Sequence, residues 1–204
     1  MSGSSDAESS TVSACRVVRL KDNRRGPTAD EVWMRRNNFL IFASVAGFGL
    51  LADQFSKLYI DQNMARYASI PVIDHLFSIT YLRNPGAAFG LFAGSAFRVP
   101  LLIAVSLAAL VVILVALYKL PESEKGNAVA LSCIFTGACG NLIDRIRLGE
   151  VIDFLDLYWK SHHWPAFNIA DSAIFVGVFL YLAVNLREER EPSLVDPALS
   201  RGPR

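Results

Sequence analysis

The chain has 204 residues, 52% of them hydrophobic, with a formal net charge of +1 and a mean hydropathy of +0.34. A charge so near neutral gives no nucleic-acid signal, and no nucleic-acid partner is expected. Four apolar runs long enough to cross a bilayer, at about 20 residues each, take up roughly 80 residues. That leaves no room for a large soluble domain beside one compact helical membrane domain.

Residues 1–37 are rich in Ser and charge and are expected to form a disordered cytoplasmic tail. The first apolar run, 38–58, is too long for the apolar core of a secretory signal, and no A-x-A site follows it. It is expected to be an uncleaved span. It ends in DQFSK, where Asp53 and Lys57 stand four apart with the acid first, the favourable order for a helix ion pair. Mutual neutralisation near a helix end is one reading. Holding the geometry or charge of a site is the other.

Segment 59–97 contains a β-prone stretch through Val72, Ile73, Leu76, Phe77, Ile79, Tyr81 and Leu82, closed by the turn signal Asn84-Pro85-Gly86. A small sheet at the membrane surface is expected there. The second run, 98–118, and the third, 127–146, are joined by the short polar PESEKGN and are expected to be antiparallel neighbours. Cys15 falls in the cytoplasmic tail. Cys133 and Cys139 lie six apart in the third run without metal spacing, and read as small buried thiols. Gly137 and Gly140 admit a neighbouring helix backbone. Asn141, Asp144 and Arg145 share one helix face, with Arg145 the expected ion partner of Asp144. Segment 147–166, with Phe154, Tyr158, Trp159 and Trp164, is a loop suited to the membrane interface, and it carries Asp153. The fourth run, 167–186, starts with Asn168 and Asp171 three apart. Residues 187–204 form a second expected disordered tail.

A chain that crosses four times alternates sides. Asp53 lies late in span one, Asp144 late in span three, Asp153 in the loop after it and Asp171 early in span four. All four therefore share one side of the membrane. Thirteen Lys and Arg residues flank the opposite ends of the spans, against seven on the carboxylate side. The positive-inside rule then puts both termini in the cytoplasm and the acids outside.

A carboxylate inside a bilayer costs roughly 2.5–3.5 kcal/mol on insertion scales, so four at one face imply chemistry or ion movement. Two carboxylates close together at a partly dehydrated place cannot both ionise, and the pair holds one proton. One member can take a proton from water while the other polarises an amide carbonyl. Other hydrolytic schemes lack their residues. There is no H-E-x-x-H, and His75, His162 and His163 lack ligand spacing; G-x-S-x-G and S-x-x-K are also absent. An aspartate pair is the remaining chemical candidate, with Asp144 and Asp153 both open as members. A transporter or proton channel would spread its acids through the membrane depth. A structural scaffold would tolerate Asp→Asn.

Five blocks now stand in order: DQFSK at 53–57, RNPGAAFG at 83–90, GACGNLIDR at 137–145, VIDFLDLY at 151–158 and FNIADSA at 167–173. In these the chain resembles the bacterial lipoprotein signal peptidases (signal peptidase II) from about residue 38 to 186. The resemblance implies an intramembrane aspartic endopeptidase built as an all-α four-transmembrane-helix bundle over 38–186 with a small β-rich extracytoplasmic segment. It implies Asp153 and Asp171 as the catalytic pair, and Asn84, Gly86, Asn141 and Asn168 as substrate-positioning groups. Asp53, Lys57, Asp144 and Arg145 are implied supports. No metal or organic cofactor is implied. The implied substrate is a diacylglyceryl-modified prolipoprotein, cut before its lipidated cysteine at the periplasmic side of the inner membrane by a monomer surrounded by lipid.

Overall fold

The computed structural model describes residues 29–86 and 97–188. The predicted tails, apart from their helical ends, and the 87–90 part of RNPGAAFG lie outside the described residues. In chain order the elements are α1 (Ala29–Asn63), β1 (Ser69–Ile73), β2 (Phe77–Asn84), α2 (Arg98–Lys119), α3 (Lys125–Leu148), β3 (Val151–Trp159), β4 (His162–His163) and α4 (Ile169–Glu188).

Four stretches are long and apolar enough to span a membrane: Asn37–Asn63, Arg98–Lys119, Lys125–Leu148 and Ile169–Arg187. They coincide with the four expected runs, the largest differences being at the two ends of α1. α1 continues past 58 to Asn63 and starts at Ala29, inside the expected tail. α3 is the central helix. More than half of its spanning window is buried (56%), against 17% or less for the other three. This explains its composition: polar Asn127, Ser132, Thr136, Asn141 and Asp144 are buried on it. The other helices turn Phe48, Phe55, Val111, Val112, Phe175 and Phe179 outward, as lipid-facing surfaces require.

Small residues set how closely the helices meet. A Cβ at Gly137 would lie 2.2 Å from the Ala170 carbonyl oxygen, and one at Gly140 would lie 2.5 Å from Asp53 Oδ2. Only hydrogen fits at either position. α1 and α4 therefore press on α3 where Asp53 and Asp171 begin.

The sheet is four-stranded and antiparallel in the order β1-β2-β3-β4. β1 and β2 come from the expected segment after α1. β3 comes from the α3–α4 connection, where the sequence suggested only an interfacial loop. Val151, Ile152, Asp153 and Phe154 are all buried, so β3 shows no alternation at its start. A strand covered on both faces lacks the period-two signal by which a strand is recognised. One face packs Ile152 and Phe154 against Ile60 and Tyr81. The other carries Asp153 toward the helix ends.

Candidate active site

The site grows from two chain reversals. α3 ends at Gly149 in the left-handed region (φ 71°), whose N–H donates to Arg145 O at 3.0 Å. The chain then enters β3 at once, which puts Asp153 two residues into the strand. Beyond β3, Phe167 pairs back onto Leu155, with N–H···O distances of 3.0 and 2.8 Å. This delivers Asn168 beside Asp153 at the start of α4.

Asn168 caps that helix. Its Oδ1 accepts the N–H of Asp171 at 2.9 Å, and Asp171 Oδ2 accepts the N–H of Asn168 at 3.2 Å. This is the reciprocal arrangement of a capping box, with Asp in place of Glu. The next free helix donor, Ala170 N–H, goes to Asp53 Oδ1 at 2.8 Å, so orphan donors of the first turn are satisfied by side chains. Asp171 is thereby fixed by its own helix start.

Three side-chain amides hold the candidate pair. Asn168 Nδ2 donates to Asp153 Oδ1 at 2.8 Å, and Asn84 Nδ2 donates to Asp153 Oδ2 at 3.1 Å. Asn141 Nδ2 donates to Asp171 Oδ1 at 2.8 Å, while its Oδ1 faces Asn168 Nδ2 at 3.2 Å. Gly86 N–H donates to Asn84 Oδ1 at 3.0 Å and so orients that amide. Burial, and then the neighbouring Asp171 carboxylate, push the Asp153 carboxyl up to about 7; the Asn84 and Asn168 amides and Lys57 pull the other way and lose. At neutral pH Asp153 is therefore divided between its acid and ionised forms, and it keeps its proton fully only below about 7.

Behind the pair lies a buried ion cluster. Lys57 Nζ is 2.9 Å from Asp53 Oδ2, 3.0 Å from Asp144 Oδ2 and 3.1 Å from Asn141 Oδ1. All three ammonium donors are used. Lys57, Asp53 and Asp144 are almost completely inaccessible. The expected Asp53–Lys57 ion pair forms, but it is buried and shared with Asp144, so it also serves the site. Asp144 Oδ2 also accepts the Ile152 N–H at 3.2 Å, directly before Asp153.

One expectation is corrected. Arg145 does not pair with Asp144. Its NH1 donates to Asn141 O and its NH2 to Gly86 O, both at 3.3 Å. Asp144 and Arg145 are adjacent on the helix, and adjacent side chains diverge. Asp144 turns inward to Lys57, while Arg145 turns to the Gly86 carbonyl. All ten residues singled out from the sequence lie in or against this one network.

Gln54 was missed. Its Nε2 lies 3.0 Å from Asp53 Oδ2, 3.2 Å from Gly140 O and 3.4 Å from Asp144 Oδ1. Helical spacing gives no hint of it. The available signal was a polar amide retained inside an apolar span.

The family described as Signal peptidase (SPase) II matches residues 45–187. The lipoprotein signal peptidase of Geobacter metallireducens is 53% identical over 156 residues, covering 76% of this chain and 96% of that protein. That of Geobacter sulfurreducens is 58% identical over 152 residues, covering 74% and 95%. A solved bacterial membrane enzyme superposes with a TM-score of 0.68 at 32% identity, covering 78% of this chain and 93% of its own. A second gives 0.64 at 34% identity, covering 75% and 94%. Matched along most of its described length, and with relatives more than half identical along nearly their whole length, the chain belongs to the signal peptidase (SPase) II family of aspartic membrane peptidases.

Proposed function

We propose that the protein cuts the signal peptide from diacylglyceryl-modified prolipoproteins before the lipidated cysteine, with Asp153 and Asp171 as the catalytic pair. The observation that carries the assignment is Asn168. Its side-chain amide holds Asp153 while its backbone N–H holds Asp171, so one residue aligns both carboxyl groups. Asp144 is a poor rival because Lys57, Gln54 and the Ile152 N–H already occupy its oxygens.

In this reading Asp171 takes a proton from water as the water oxygen attacks the scissile carbonyl carbon. Asp153 gives its proton to the carbonyl oxygen, and a neutral gem-diol forms. Asp153 then recovers a proton from that diol while Asp171 returns its own to the amide nitrogen. The C–N bond breaks, leaving a carboxyl group on the signal peptide and an amine on the lipidated cysteine. Asn84 and Asn168 keep the Asp153 oxygens aimed during both steps. No step needs a metal or organic cofactor.

The site faces outward and both termini are cytoplasmic in this proposal, on the charge count of the flanks. Exposed Trp159 and Trp164 beside the sheet suit the headgroup layer. An apolar groove of about 390 Å³ between α1, α3 and α4, walled by Phe48, Gly49, Cys133 and Ala173, lies inward of the carboxylates. It offers an alkyl chain a seat, so binding of an unreactive part of the substrate can position the scissile bond.

The test is incubation of purified protein with lipidated and unlipidated precursor, followed by size on a gel. Cleavage of the lipidated form is expected to be far faster, and equal rates would sink the lipid part of the reading. Reporter fusions after Arg98 should read outside and after Lys125 inside; the reverse overturns the orientation.

A further inference from the structure

β2 does not keep one register along β3. Its first half pairs Phe77, Ser78 and Ile79 with Leu157, Asp156 and Leu155; its second half pairs Leu82, Arg83 and Asn84 with Asp153, Ile152 and Val151. Between them Thr80 and Tyr81 stand against the single residue Phe154, which is a β-bulge. Side chains alternate faces along a strand, and directly opposed residues share a face. Ser78 shares the face of Asp156, and hence of Phe154 and Ile152. Continued without a break, that alternation would place residue 84 on the Ile152 face, away from Asp153. The extra residue reverses the parity. Asn84 then shares the face of Val151 and Asp153, and donates to Asp153 Oδ2 at 3.1 Å. Burial along β2 records the reversal: Ser78, Thr80 and then the adjacent Tyr81 are buried.

The bulge is held by a group of side chains that the reaction does not use. Tyr81 donates its hydroxyl to Asp61 Oδ1 at the end of α1. Arg83 NH2 reaches the same oxygen at 2.6 Å, and Arg83 Nε donates to the Tyr81 hydroxyl oxygen at 2.8 Å. The Tyr81 ring is buried against Ile60, Ile152 and Phe154. Its backbone N–H and C=O pair with Ala68 O at 3.0 Å and Tyr67 N–H at 2.8 Å. The bulged residue is thus tied to α1 and the link after it. Burial, followed by the Asp61 hydrogen bond, raises the Tyr81 phenol above its ordinary value, so the hydroxyl remains a donor at working pH.

We propose that Asp61, Tyr81 and Arg83 are positioning residues for the peptidase reaction: they fix the β2 bulge that turns Asn84 onto the face of Asp153. The inference rests on the reading of Asp153 as one of the catalytic pair.

The experiment is a double-mutant cycle on the full-length protein with lipidated precursor: Tyr81→Phe, Asn84→Ala and both together. Tyr81→Phe keeps the buried ring and removes the hydroxyl. It should lower kcat by ~10–100-fold, the scale of a misplaced catalytic group, with KM little changed. The double variant should be no slower than Asn84→Ala alone, because Tyr81 acts through Asn84. The alkaline limb of the kcat profile should move to higher pH in both single variants, since the Asn84 amide holds the Asp153 carboxyl down. A purely structural role would leave that limb in place. Wild-type kcat in Tyr81→Phe, or losses that add in full, overturns the proposal. Should Tyr81→Phe fold poorly, Asp61→Asn, which keeps an oxygen acceptor and removes the charge facing Arg83, is judged by the same cycle. Turnover by Asp153→Asn would remove the dyad reading and this inference with it; an inactive Asp153→Asn with an additive cycle removes this inference alone.

Discussion

Asp53 Oδ1 accepts the backbone N–H of Ala170 at 2.8 Å, 117 positions along the chain. Asp144 does the same for Ile152. Ala170 and Ile152 each directly precede a candidate catalytic aspartate, and both supporting carboxylates lie against the single Lys57 ammonium. One buried ammonium thus governs the backbone on either side of the dyad. Lys57→Met is expected to leave two buried carboxylates without a counter-charge and to destabilise by roughly 3–5 kcal/mol, the usual result of breaking a buried ion group from one side. Thermal unfolding in a fixed detergent reads this. A Lys57→Met protein as stable as the parent would show that Asp53 and Asp144 do not need the pair.

Asp144→Asn should be milder. Asp53 still balances Lys57, and the amide keeps one oxygen for either Lys57 or the Ile152 N–H. Lower stability and a partial activity loss are expected, from a shifted β3 start and not from an unpaired Arg145. Measured melting and turnover on the same sample check both parts. Complete inactivity in a well-folded Asp144→Asn protein, together with substantial turnover by Asp153→Asn, would put Asp144 in the dyad in place of Asp153.

Asp153→Asn and Asp171→Asn should each abolish cleavage while leaving the protein folded and inserted. An amide can neither take a proton from water nor give an acidic one to a carbonyl. The double variant should be no worse than either single one, because groups acting as a unit fail together. Cleavage assays on the three variants decide this, and substantial turnover in either single variant contradicts the pairing.

Much of this was legible because membrane crossing leaves few options. Span lengths and parity alone brought Asp53, Asp144, Asp153 and Asp171 to one end. The spacing of Asn141 with Asp144 and of Asn168 with Asp171 marked the helix faces that meet. What stayed hidden depended on contacts between distant segments. β3 was unreadable because both of its faces are covered where it starts. The Asp144 partner was misassigned because Arg145 is next to it in sequence, whereas Lys57 reaches it only after α1 packs on α3. Gln54 and Arg83 sit inside two of the quoted blocks, but nothing in their spacing joins Gln54 to Asp144, or Arg83 to Asp61 and Tyr81, before the segments pack.

The Asp153 carboxyl, held up to about 7 by burial and then by Asp171, sets a pH dependence with a definite sign. The acid form is the working one, so kcat should fall as pH rises through about 7, approaching tenfold per pH unit above it. Stability moves in the same direction. The ordinary carboxyl value is 3.8. Between that and about 7 the folded protein keeps a proton that the unfolded chain has released. Stability therefore falls as pH rises across this window, by a sum on the order of 4 kcal/mol, and levels off above it. Asp153→Asn lacks this slope. Its melting temperature relative to the parent should rise from pH 4 to pH 7 and then stay flat; a difference independent of pH would mean that Asp153 is an ordinary carboxylate.

Gly137→Ala tests whether helix proximity itself builds the site. The added methyl would lie 2.2 Å from the Ala170 carbonyl oxygen and 2.4 Å from the Ile174 side chain. The Ile174 side chain can turn aside, but the carbonyl cannot without moving the first turn of α4. That turn carries Ala170, held by Asp53, and Asp171, held by Asn141. Overpacking of this kind costs ~1–3 kcal/mol, and here the strain falls on the segment that aims a catalytic oxygen. The expected result is a modest loss of thermal stability with a much larger loss of kcat, since small misplacements are costly at a reacting centre. Gly47→Ala is the matched control on α1, because a Cβ there meets nothing within 4 Å. It should leave both quantities near the parent values. Equal activity in the two variants would mean that the α3–α4 approach is packing without consequence for the dyad.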